Sequence, residues 1–164
     1  MQIHKVGKNK TICLDILNTL LVREQIADIE QLNNMQKDMI AFKENYIVVS
    51  KRANQEIDCC RRSSLGVKCL CRLNYYKIKP FALQFLKSIS QFFELVAFAI
   101  LPPYQLKQII RELNSKVKFR RERQYLFAHV IYDPKYFNRV GNETVFNMLL
   151  LTKHRKRDEM YLMS

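Results

Sequence analysis

Residues 12–22 have the sequence ICLDILNTLLV, an apolar stretch that Asp15 interrupts after three residues. A continuous apolar run of this kind is typical of a strand that is buried on both faces of a sheet. We expect a buried strand over residues 11–17, broken at Asp15, which leads directly into a helix-like segment. Asp15 and Thr19 then fall at the end of the strand, where they are candidate site residues.

The length and composition fit one compact domain over residues 1–164. Of the 164 residues, 48% are apolar and 26% are charged, which is ordinary for a folded protein. The 3 glycines are too few for a glycine-rich phosphate-binding loop. The longest apolar run, over residues 95–101, is too short to cross a bilayer, and no secretory signal is apparent. We therefore expect no transmembrane segment.

The chain is strongly basic. Its 28 Lys and Arg residues against 15 Asp and Glu residues give a net charge of +13. Such an excess favours a polyanion, which means RNA, anionic lipid or an acidic protein surface. The alternative is a basic surface that serves only solubility or packing. The candidate polyanion contacts are Lys116, Lys118, Arg120, Arg121, Arg123, Lys153, Arg155, Lys156 and Arg157. Aromatic residues near the first of these, such as Tyr125 and Phe127, are typical of surfaces that stack RNA bases.

The order of the predicted elements indicates an α/β fold. Residues 23–45 carry apolar side chains at helical spacing, and residues 46–79 are interpreted as an inserted β-hairpin with its turn at residues 63–66. The later predicted elements are a helix over residues 81–93, a helix that starts at Pro102-Pro103, and strands over residues 94–101, 126–132 and 145–151. The inward positions of the second helix are expected to include Leu106, Ile109, Ile110 and Leu113. Strands that alternate with helices imply a mainly parallel sheet with flanking helices.

Four cysteines, Cys59, Cys60, Cys69 and Cys71, fall on the two arms of the predicted hairpin. A structural zinc site, a Cys60–Cys69 disulfide and plain thiols all stay open for them. The odd total of 5 cysteines favours reduced thiols. Cys13, on the first strand, is expected to lie in the core.

The segment around Asp15 resembles the pattern D-x-D-x-T that follows the first strand of haloacid dehalogenase-like (HAD-like) phosphatases. Three later stretches are similar to one branch of them, the carboxy-terminal-domain phosphatases, also called NLI-interacting-factor domains. Residues 76–86, YKIKPFALQFL, and residues 93–99, FELVAFA, resemble the branch elements K/R-P-x-x-x-x-F-L and F-E-V-V-V-F-T. Residues 135–141, KYFNRVG, resemble its K-D-L-x-x-L-G element. The branch includes a receptor of the mitochondrial inner-membrane translocase.

The resemblance implies a HAD-like (Rossmannoid) fold and a role for each matching residue. Asp15 matches the nucleophile that attacks phosphorus and binds Mg²⁺, Thr19 matches the threonine of the motif, and Lys135 matches the phosphate-binding lysine. A second aspartate transfers the proton in such enzymes, a Thr or Ser binds the phosphoryl oxygens, and an acidic residue after the fourth strand completes the metal site.

Three positions depart from that pattern. Leu17 replaces the second aspartate, whose help as a general acid and base is worth about 10²–10⁴-fold in rate. Ala99 replaces the Thr or Ser hydroxyl. Thr152 and Lys153 stand where the acidic ligand is expected, and the basic residues from Lys153 to Arg157 are expected to repel Mg²⁺.

Asp15 also has a purely structural interpretation. An Asp at a strand end commonly caps the turn that follows it, and Asp15 has Lys135 as a possible ion-pair partner. Thr19 is interpreted in the same way as a local cap or helix-start residue.

We therefore predict a catalytically inactive phosphatase-like domain, without a metal or other cofactor, that is a structural or interaction subunit of a larger assembly. Its expected partners are other protein subunits, with RNA as a further candidate. The resemblance and the basic composition favour the mitochondrion, with the nucleus or cytoplasm as alternatives. The alternative function is a Mg²⁺-dependent protein Ser/Thr phosphatase that uses Asp15 as its nucleophile. A third class is a binding module for phosphorylated or acidic peptides that uses Lys135 and the basic rim.

Overall fold

The computed structural model describes residues 10–51, 73–117, 125–141, 143–147, 156 and 159–164. The strands in these ranges are β1 Thr11–Asp15, β2 Leu21–Glu24, β3 Tyr46–Ser50, β4 Leu73–Ile78, β5 Glu94–Phe98, β6 His129–Ile131, β7 Phe137–Val140, β8 Glu143–Phe146 and β9 Met160–Met163. The helices are α1 Ile29–Gln36, α2 Met39–Asn45, α3 Ala82–Ile89 and α4 Pro103–Lys116. A π-helical turn, Ile16–Leu20, follows β1, and a 3-10 turn, Pro134–Tyr136, precedes β7.

The main sheet has 4 strands in the order β6-β5-β1-β9. The pairs β1–β5, β1–β9 and β5–β6 are all parallel. Along the chain these strands come third, second, first and fourth, which is the order at the centre of doubly wound α/β folds. The predicted mixed α/β architecture with a mainly parallel sheet is confirmed.

Strand β1 is buried on both faces of this sheet. Ile12 and Leu14 pack into the larger core, whereas Cys13 packs into a second core on the opposite face. Successive side chains of a strand point to opposite faces. A strand that is covered on both sides therefore needs apolar residues in series, and the sequence Ile12-Cys13-Leu14 supplies them.

Helices α3 and α4 cover the face on which Ile12 and Leu14 lie. Leu86 of α3 and Leu106, Ile109 and Leu113 of α4 have no measurable exposure and belong to the same core. The positions 106, 109 and 113 repeat at the spacing that places side chains on one face of a helix. This is the inward face that the sequence predicts, and α4 begins with Pro103 at its first position as expected.

The opposite face of the sheet is covered by the antiparallel pair β7–β8. The rings of Phe98 on β5 and Phe146 on β8 stack with centroids 3.9 Å apart. Phe137 on β7 completes the group, with its ring centroid 5.6 Å from that of Phe146. These aromatic contacts hold the pair β7–β8 against the sheet.

A second sheet, antiparallel and of 3 strands, has the order β2-β4-β3. One face packs into the larger core through the fully buried ring of Tyr76. The other face packs Tyr75 against Leu32 of α1 and Phe42 of α2. Strands β3 and β4 pair as the predicted hairpin insertion over residues 46–79 requires, with Ser50 opposite Leu73. Pairing of β2 with β4 was not predicted.

The predicted turn at residues 63–66 and the cysteines Cys59, Cys60, Cys69 and Cys71 lie outside the described residues.

The helical spacing over residues 23–45 corresponds to two helices rather than to one continuous helix. The segment contains the end of β2, then α1 and α2. Asp28 accepts a hydrogen bond from the backbone N–H of Gln31 at 2.8 Å and so caps α1. Asp38 accepts bonds from the N–H groups of Ile40 and Ala41, both at 3.0 Å, and caps α2. An Asp that binds N–H groups just ahead of it favours a helix start over a helix interior.

The fourth parallel strand is not at residues 145–151, where the sequence predicted it. Val145 and Phe146 belong to β8, which runs antiparallel to β7, and β9 Met160–Met163 takes the place beside β1. Val140 pairs with Glu143, so two residues connect the strands, and Gly141 has φ 62°. A two-residue connection with a residue in the left-handed region is the usual signal of a tight hairpin.

The other predicted strands are in the right place but are longer in the prediction than in the structure. β1 stops at Asp15 instead of residue 17, β5 stops at Phe98 instead of residue 101, and β6 covers only His129–Ile131 of the predicted 126–132.

We predict that Phe98→Ala lowers the free energy of unfolding by about 3–5 kcal/mol, because it removes a buried ring from between the sheet and the pair β7–β8. Urea denaturation followed by circular dichroism measures the change. The matched control is Phe92→Ala, whose side chain is 71% exposed and should change stability by less than about 0.5 kcal/mol. Equal effects of the two substitutions would contradict this packing.

Candidate functional site

β1 ends at the point where the strand order of the parallel sheet reverses. The next parallel strand, β5, lies on one side of it, and the last one, β9, lies on the other. In such sheets ligands bind in the crevice beyond the carboxyl ends of the strands, at this switch point. The carboxyl-edge site, as we name it, comprises Asp15, Leu17, Asn18, Thr19 and Ala99.

The carboxylate of Asp15 caps the π-helical turn that follows it. Its Oδ1 accepts hydrogen bonds from the backbone N–H groups of Leu17 at 3.1 Å and Asn18 at 3.4 Å. Its Oδ2 accepts a further bond from the side-chain amide of Asn18 at 2.6 Å. The interpretation of Asp15 as a turn cap is confirmed. Both carboxylate oxygens are therefore held by the turn that Asp15 itself begins.

Thr19 connects the turn to the last strand of the sheet. Its hydroxyl donates a hydrogen bond to the backbone carbonyl of Met163 at 3.2 Å. The prediction that Thr19 is a local cap is wrong, because the acceptor lies on β9, far along the chain. The hydroxyl therefore connects the turn that follows β1 to the neighbouring strand β9.

Leu17 and Ala99 are apolar and pack into the protein. Leu17 is partly buried against the larger core, and Ala99, which follows β5, is 3% exposed. Neither side chain can donate or accept a proton. In the family that the sequence resembles, these two positions hold an acid and a hydroxyl group. In this protein both side chains are aliphatic.

Lys135 is not the ion-pair partner of Asp15. Its Nζ lies 2.7 Å from Oδ2 of Asp133 and 5.2 Å from the centre of the Tyr136 ring. The hydrogen bond with Lys135 lowers the pKa of the Asp133 carboxyl, and the same bond raises the pKa of the Lys135 ammonium. The proposed Asp15–Lys135 pair is corrected to Asp133–Lys135, because Asp133 is two residues away on the same turn.

The cation that meets the Asp15 turn is Lys79, which the sequence analysis did not assign a role. Its ammonium donates to the backbone carbonyl of Asn18, and its backbone N–H donates to the carbonyl of Leu20 at 2.9 Å. The signal was present in the sequence, since Lys79 and Pro80 form the K-P pair that carries the resemblance. The positive charge of Lys79 lies against a backbone carbonyl of the turn and so stabilises the turn.

Phe81, two residues after Lys79, has an exceptional backbone. Its φ of 62° lies in the left-handed region, and its side chain is 80% exposed at the start of α3. A bulky residue rarely adopts this conformation. The sharp change of direction it makes brings the chain from β4 into α3.

The carboxyl-edge site does not fit a Mg²⁺ ion. Mg²⁺ binds a near-octahedral shell of oxygen atoms, usually including more than one carboxylate or a substrate phosphate. Asp15 supplies a carboxylate, but Leu17 and Ala99 supply no oxygen from their side chains. Within the described ranges, no three carboxylate, imidazole or thiol groups lie close enough to hold a metal ion.

The basic run from Lys153 to Arg157 does not follow the fourth parallel strand but precedes it. Lys156 is exposed and its carbonyl accepts a hydrogen bond from the N–H of Glu159, just before β9 begins. Lys156 therefore precedes the amino end of β9, whereas Asp15 lies at the carboxyl end of β1. The rest of the run lies outside the described residues, so the cationic character predicted for the Asp15 site stays a prediction.

The same correction removes one of the three departures from the family pattern. Thr152 and Lys153 were compared with the acidic residue that follows the fourth parallel strand. Because that strand is β9 Met160–Met163, the two residues come before it, and the comparison does not apply. The departures that stay are Leu17 and Ala99.

The remaining candidate polyanion contacts are mostly outside the described ranges. Lys116, at the end of α4, donates a hydrogen bond from its ammonium to the carbonyl of Lys43, and burial lowers its pKa. The ammonium group of Lys116 is therefore already engaged in a hydrogen bond within the protein. The candidates that lie outside the described residues are Lys118, Arg120, Arg121, Arg123, Lys153, Arg155 and Arg157.

A buried polar group lies at the amino end of the sheet. Glu94, which is 4% exposed, accepts a hydrogen bond from the hydroxyl of Thr11 at 2.9 Å, and its other oxygen lies 4.0 Å from Nε2 of His129. Burial, with a smaller effect of the Glu94 charge, raises the pKa of the Cys13 thiol to about 12. Cys13 is a core residue, as predicted, and an unreactive one.

A comparison of the chain with models of known protein families gives no match, and a search of curated proteins gives no significant match. The likeness to the carboxy-terminal-domain phosphatases therefore rests on the motif residues given above.

None of the helices in the described part of the chain is long and apolar enough to span a bilayer. The longest of them, α4, has 14 residues, fewer than the roughly 20 that a transmembrane helix needs.

We predict that Asp15→Ala lowers the free energy of unfolding by about 1 kcal/mol, because the N–H groups of Leu17 and Asn18 lose their acceptor. Asp15→Asn keeps one acceptor oxygen and should cost less. Urea denaturation midpoints measure both changes. As a control, Glu44→Ala removes the carboxylate of an exposed residue and should shift stability by less than about 0.5 kcal/mol. Wild-type stability of Asp15→Ala would exclude the capping role.

Proposed function

We propose that this protein is a catalytically inactive phosphatase-like domain that is a structural or interaction subunit of a larger assembly. The observation that carries the proposal is the state of the Asp15 carboxylate. Both of its oxygens are bonded to the turn Ile16–Leu20, and the neighbouring motif position holds Leu17 instead of a second acid. A nucleophile without a general acid beside it lacks a contribution of about 10²–10⁴-fold in rate.

Two further features support a role in binding or assembly. Polar groups of the carboxyl-edge site have internal partners: the hydroxyl of Thr19 donates to the carbonyl of Met163, and the carbonyl of Asn18 accepts from the ammonium of Lys79. The net charge of +13 favours an acidic or polyanionic neighbour. A domain whose former site is internally bonded and whose surface is strongly charged is well suited to contact large partners.

The expected setting is the mitochondrion, on the strength of the resemblance to the translocase receptor's branch and of the basic composition. The nucleus and the cytoplasm are the alternatives. Other protein subunits are the expected partners, and an assembly that contains RNA and an inner-membrane complex are both compatible with the charge.

The alternative function is a Mg²⁺-dependent protein Ser/Thr phosphatase with Asp15 as its nucleophile. The position of Asp15 at the switch point favours it, because this is where sheets of this topology bind ligands. The comparison of Thr152 and Lys153 with the acidic metal ligand does not apply, because both precede β9 in the sequence, and this removes one argument against it. The absence of an oxygen ligand at Leu17 and Ala99 weighs against it.

We predict that the purified protein with Mg²⁺ hydrolyses para-nitrophenyl phosphate no faster than Asp15→Asn does. The reason is that Leu17 cannot transfer the proton that the leaving group and the attacking water require. Release of phosphate is measured over time with and without a chelator. Mg²⁺-dependent turnover that Asp15→Asn abolishes would establish the phosphatase and refute the proposal.

We predict that the tagged protein sediments with a large particle when a gentle lysate is separated on a density gradient. The reason is that a scaffold subunit is held by its neighbours. Treatment with nuclease before the gradient identifies the host, since a particle that depends on RNA will collapse. Migration as a single protein of about 20 kDa under both conditions would contradict the subunit role.

A further inference from the structure

Two adjacent strands that follow basic segments in the sequence enter the main sheet at the same edge. β1 and β9 are adjacent and parallel, with Thr11 opposite Met160, so both enter the sheet at its amino edge. Residues 1–10, which precede β1, contain Lys5, Lys8 and Lys10 and no acidic residue. Residues 152–157, which precede β9, contain four Lys and Arg residues and no acidic residue, and Asp158 and Glu159 then follow.

Exposed aromatic rings lie at this edge. Phe92, in the connection from α3 to β5, is 71% exposed, and Tyr161 on β9 is 42% exposed. The ring of Phe93 meets that of Tyr161 edge-on, with centroids 6.3 Å apart. The Nζ atom of Lys10 lies 5.9 Å from the centre of the Tyr161 ring. Lys10, Phe93 and Tyr161 are therefore in contact, and together with the exposed residues Phe92 and Lys156, which precede β5 and β9, we name them the amino-edge patch.

The backbones of most residues in the patch are held in place by hydrogen bonds of the main sheet. The carbonyl of Lys10 accepts a hydrogen bond from the N–H of Glu94 at 3.0 Å, which extends the β1–β5 ladder by one residue. Tyr161 is paired with Ile12 in the β1–β9 register. The backbones of Lys10, Phe93 and Tyr161 are thus held at fixed separations across three neighbouring strands.

We propose that the amino-edge patch binds single-stranded RNA. A backbone phosphate would lie against Lys10 and Lys156, and an unpaired base would stack on the exposed ring of Phe92. Base stacking on an aromatic ring is largely independent of sequence, so the patch would accept many single strands. An acidic peptide would use the lysines but would leave the exposed rings of Phe92 and Tyr161 in water, which is why RNA fits better.

The inference goes beyond the proposed subunit role, because an RNA site is a property of the purified protein alone. It is also separate from the carboxyl-edge site. β1 has five residues from Thr11 to Asp15, which at a rise of about 3.3 Å per residue separates the two edges by about 13 Å. Glu94, near the same edge, is 4% exposed and accepts a hydrogen bond from the hydroxyl of Thr11, so its carboxylate is buried.

The test is fluorescence anisotropy of the purified protein with a fluorescein-labelled oligouridine of about 12 nucleotides, a length within the range that single-strand sites cover. We expect Phe92→Ala and Tyr161→Ala each to weaken binding by about fivefold or more, the lower bound for the loss of one stacked base. Tyr161→Phe keeps the ring and should bind as the wild type does. Lys10→Glu should weaken binding and reduce its dependence on salt.

Two matched variants separate the patch from the general basic charge. Phe81→Ala removes another highly exposed phenylalanine, but at the carboxyl edge, and Lys37→Glu makes the same change of charge as Lys10→Glu at an exposed site beyond the end of α1. Both should leave the affinity for RNA within about twofold of the wild type, since neither changes a stacked base or a nearby phosphate contact. Thermal unfolding of every variant confirms that it folds.

Three results would overturn the proposal. The first is equal weakening by the control and the patch variants, which would indicate attraction to the whole basic surface. The second is unchanged affinity in the double variant Phe92→Ala with Lys10→Glu. The third is binding of labelled polyglutamate, or of vesicles with anionic lipid, as tight as that of the RNA and equally sensitive to Phe92→Ala. The assay contains only this protein, so its failure leaves the subunit proposal untouched, and failure of the gradient experiment leaves the RNA site untouched.

Discussion

The structure depends on the burial of β1, which has a strand on each side and a packed layer on each face. A strand in that position must pair all its backbone groups and must place apolar side chains on both faces. Ile12, Cys13 and Leu14 meet this requirement, and helices α3 and α4 and the pair β7–β8 are arranged around it. Asp15 is the first residue that cannot be buried as a charge, so the strand stops there.

At the carboxyl end of β1, the position expected for a ligand site is also the position of contacts that stabilise the fold. In a doubly wound sheet the switch point leaves a crevice that a ligand or the protein itself must fill. At this point of the structure Asp15 caps the turn, Lys79 binds its carbonyl, and Thr19 bonds across to Met163. The residues whose sequence resembles phosphatase motifs thus make contacts that stabilise the fold.

The sequence predicts those parts of the fold whose pattern arises from burial, and fails where local contacts compete. Continuous apolar runs located β1 and β5, and the spacing of Leu106, Ile109 and Leu113 located α4. The helical pattern over residues 23–45 did not show that the segment is divided into two helices, which Asp28 and Asp38 cap. Phe146 was assigned to a strand of the parallel sheet, although it packs on Phe98 from a separate layer. A segment in such a layer is as apolar as a strand of the sheet itself, so the sequence does not distinguish the two. At the site, Asp15 was found as a cap, but neither the bond from Thr19 to β9 nor that from Lys79 to Asn18 could be found, because both need the three-dimensional position of the acceptor.

The pairing of β9 with β1 has a consequence for the order in which the chain folds. Thr19 and Met163 are separated by 144 positions, so contacts between these strands close one of the longest loops available to the chain. Ribosomes add about 5–20 residues per second, which leaves roughly 7–30 s between synthesis of the first strand and arrival of its partner. During that time one edge of β1 has unpaired backbone groups, and such an edge readily pairs with other strands. The nascent chain is therefore most exposed to misassembly before residues 160–163 emerge, and chaperones that shield strand edges would act in that interval.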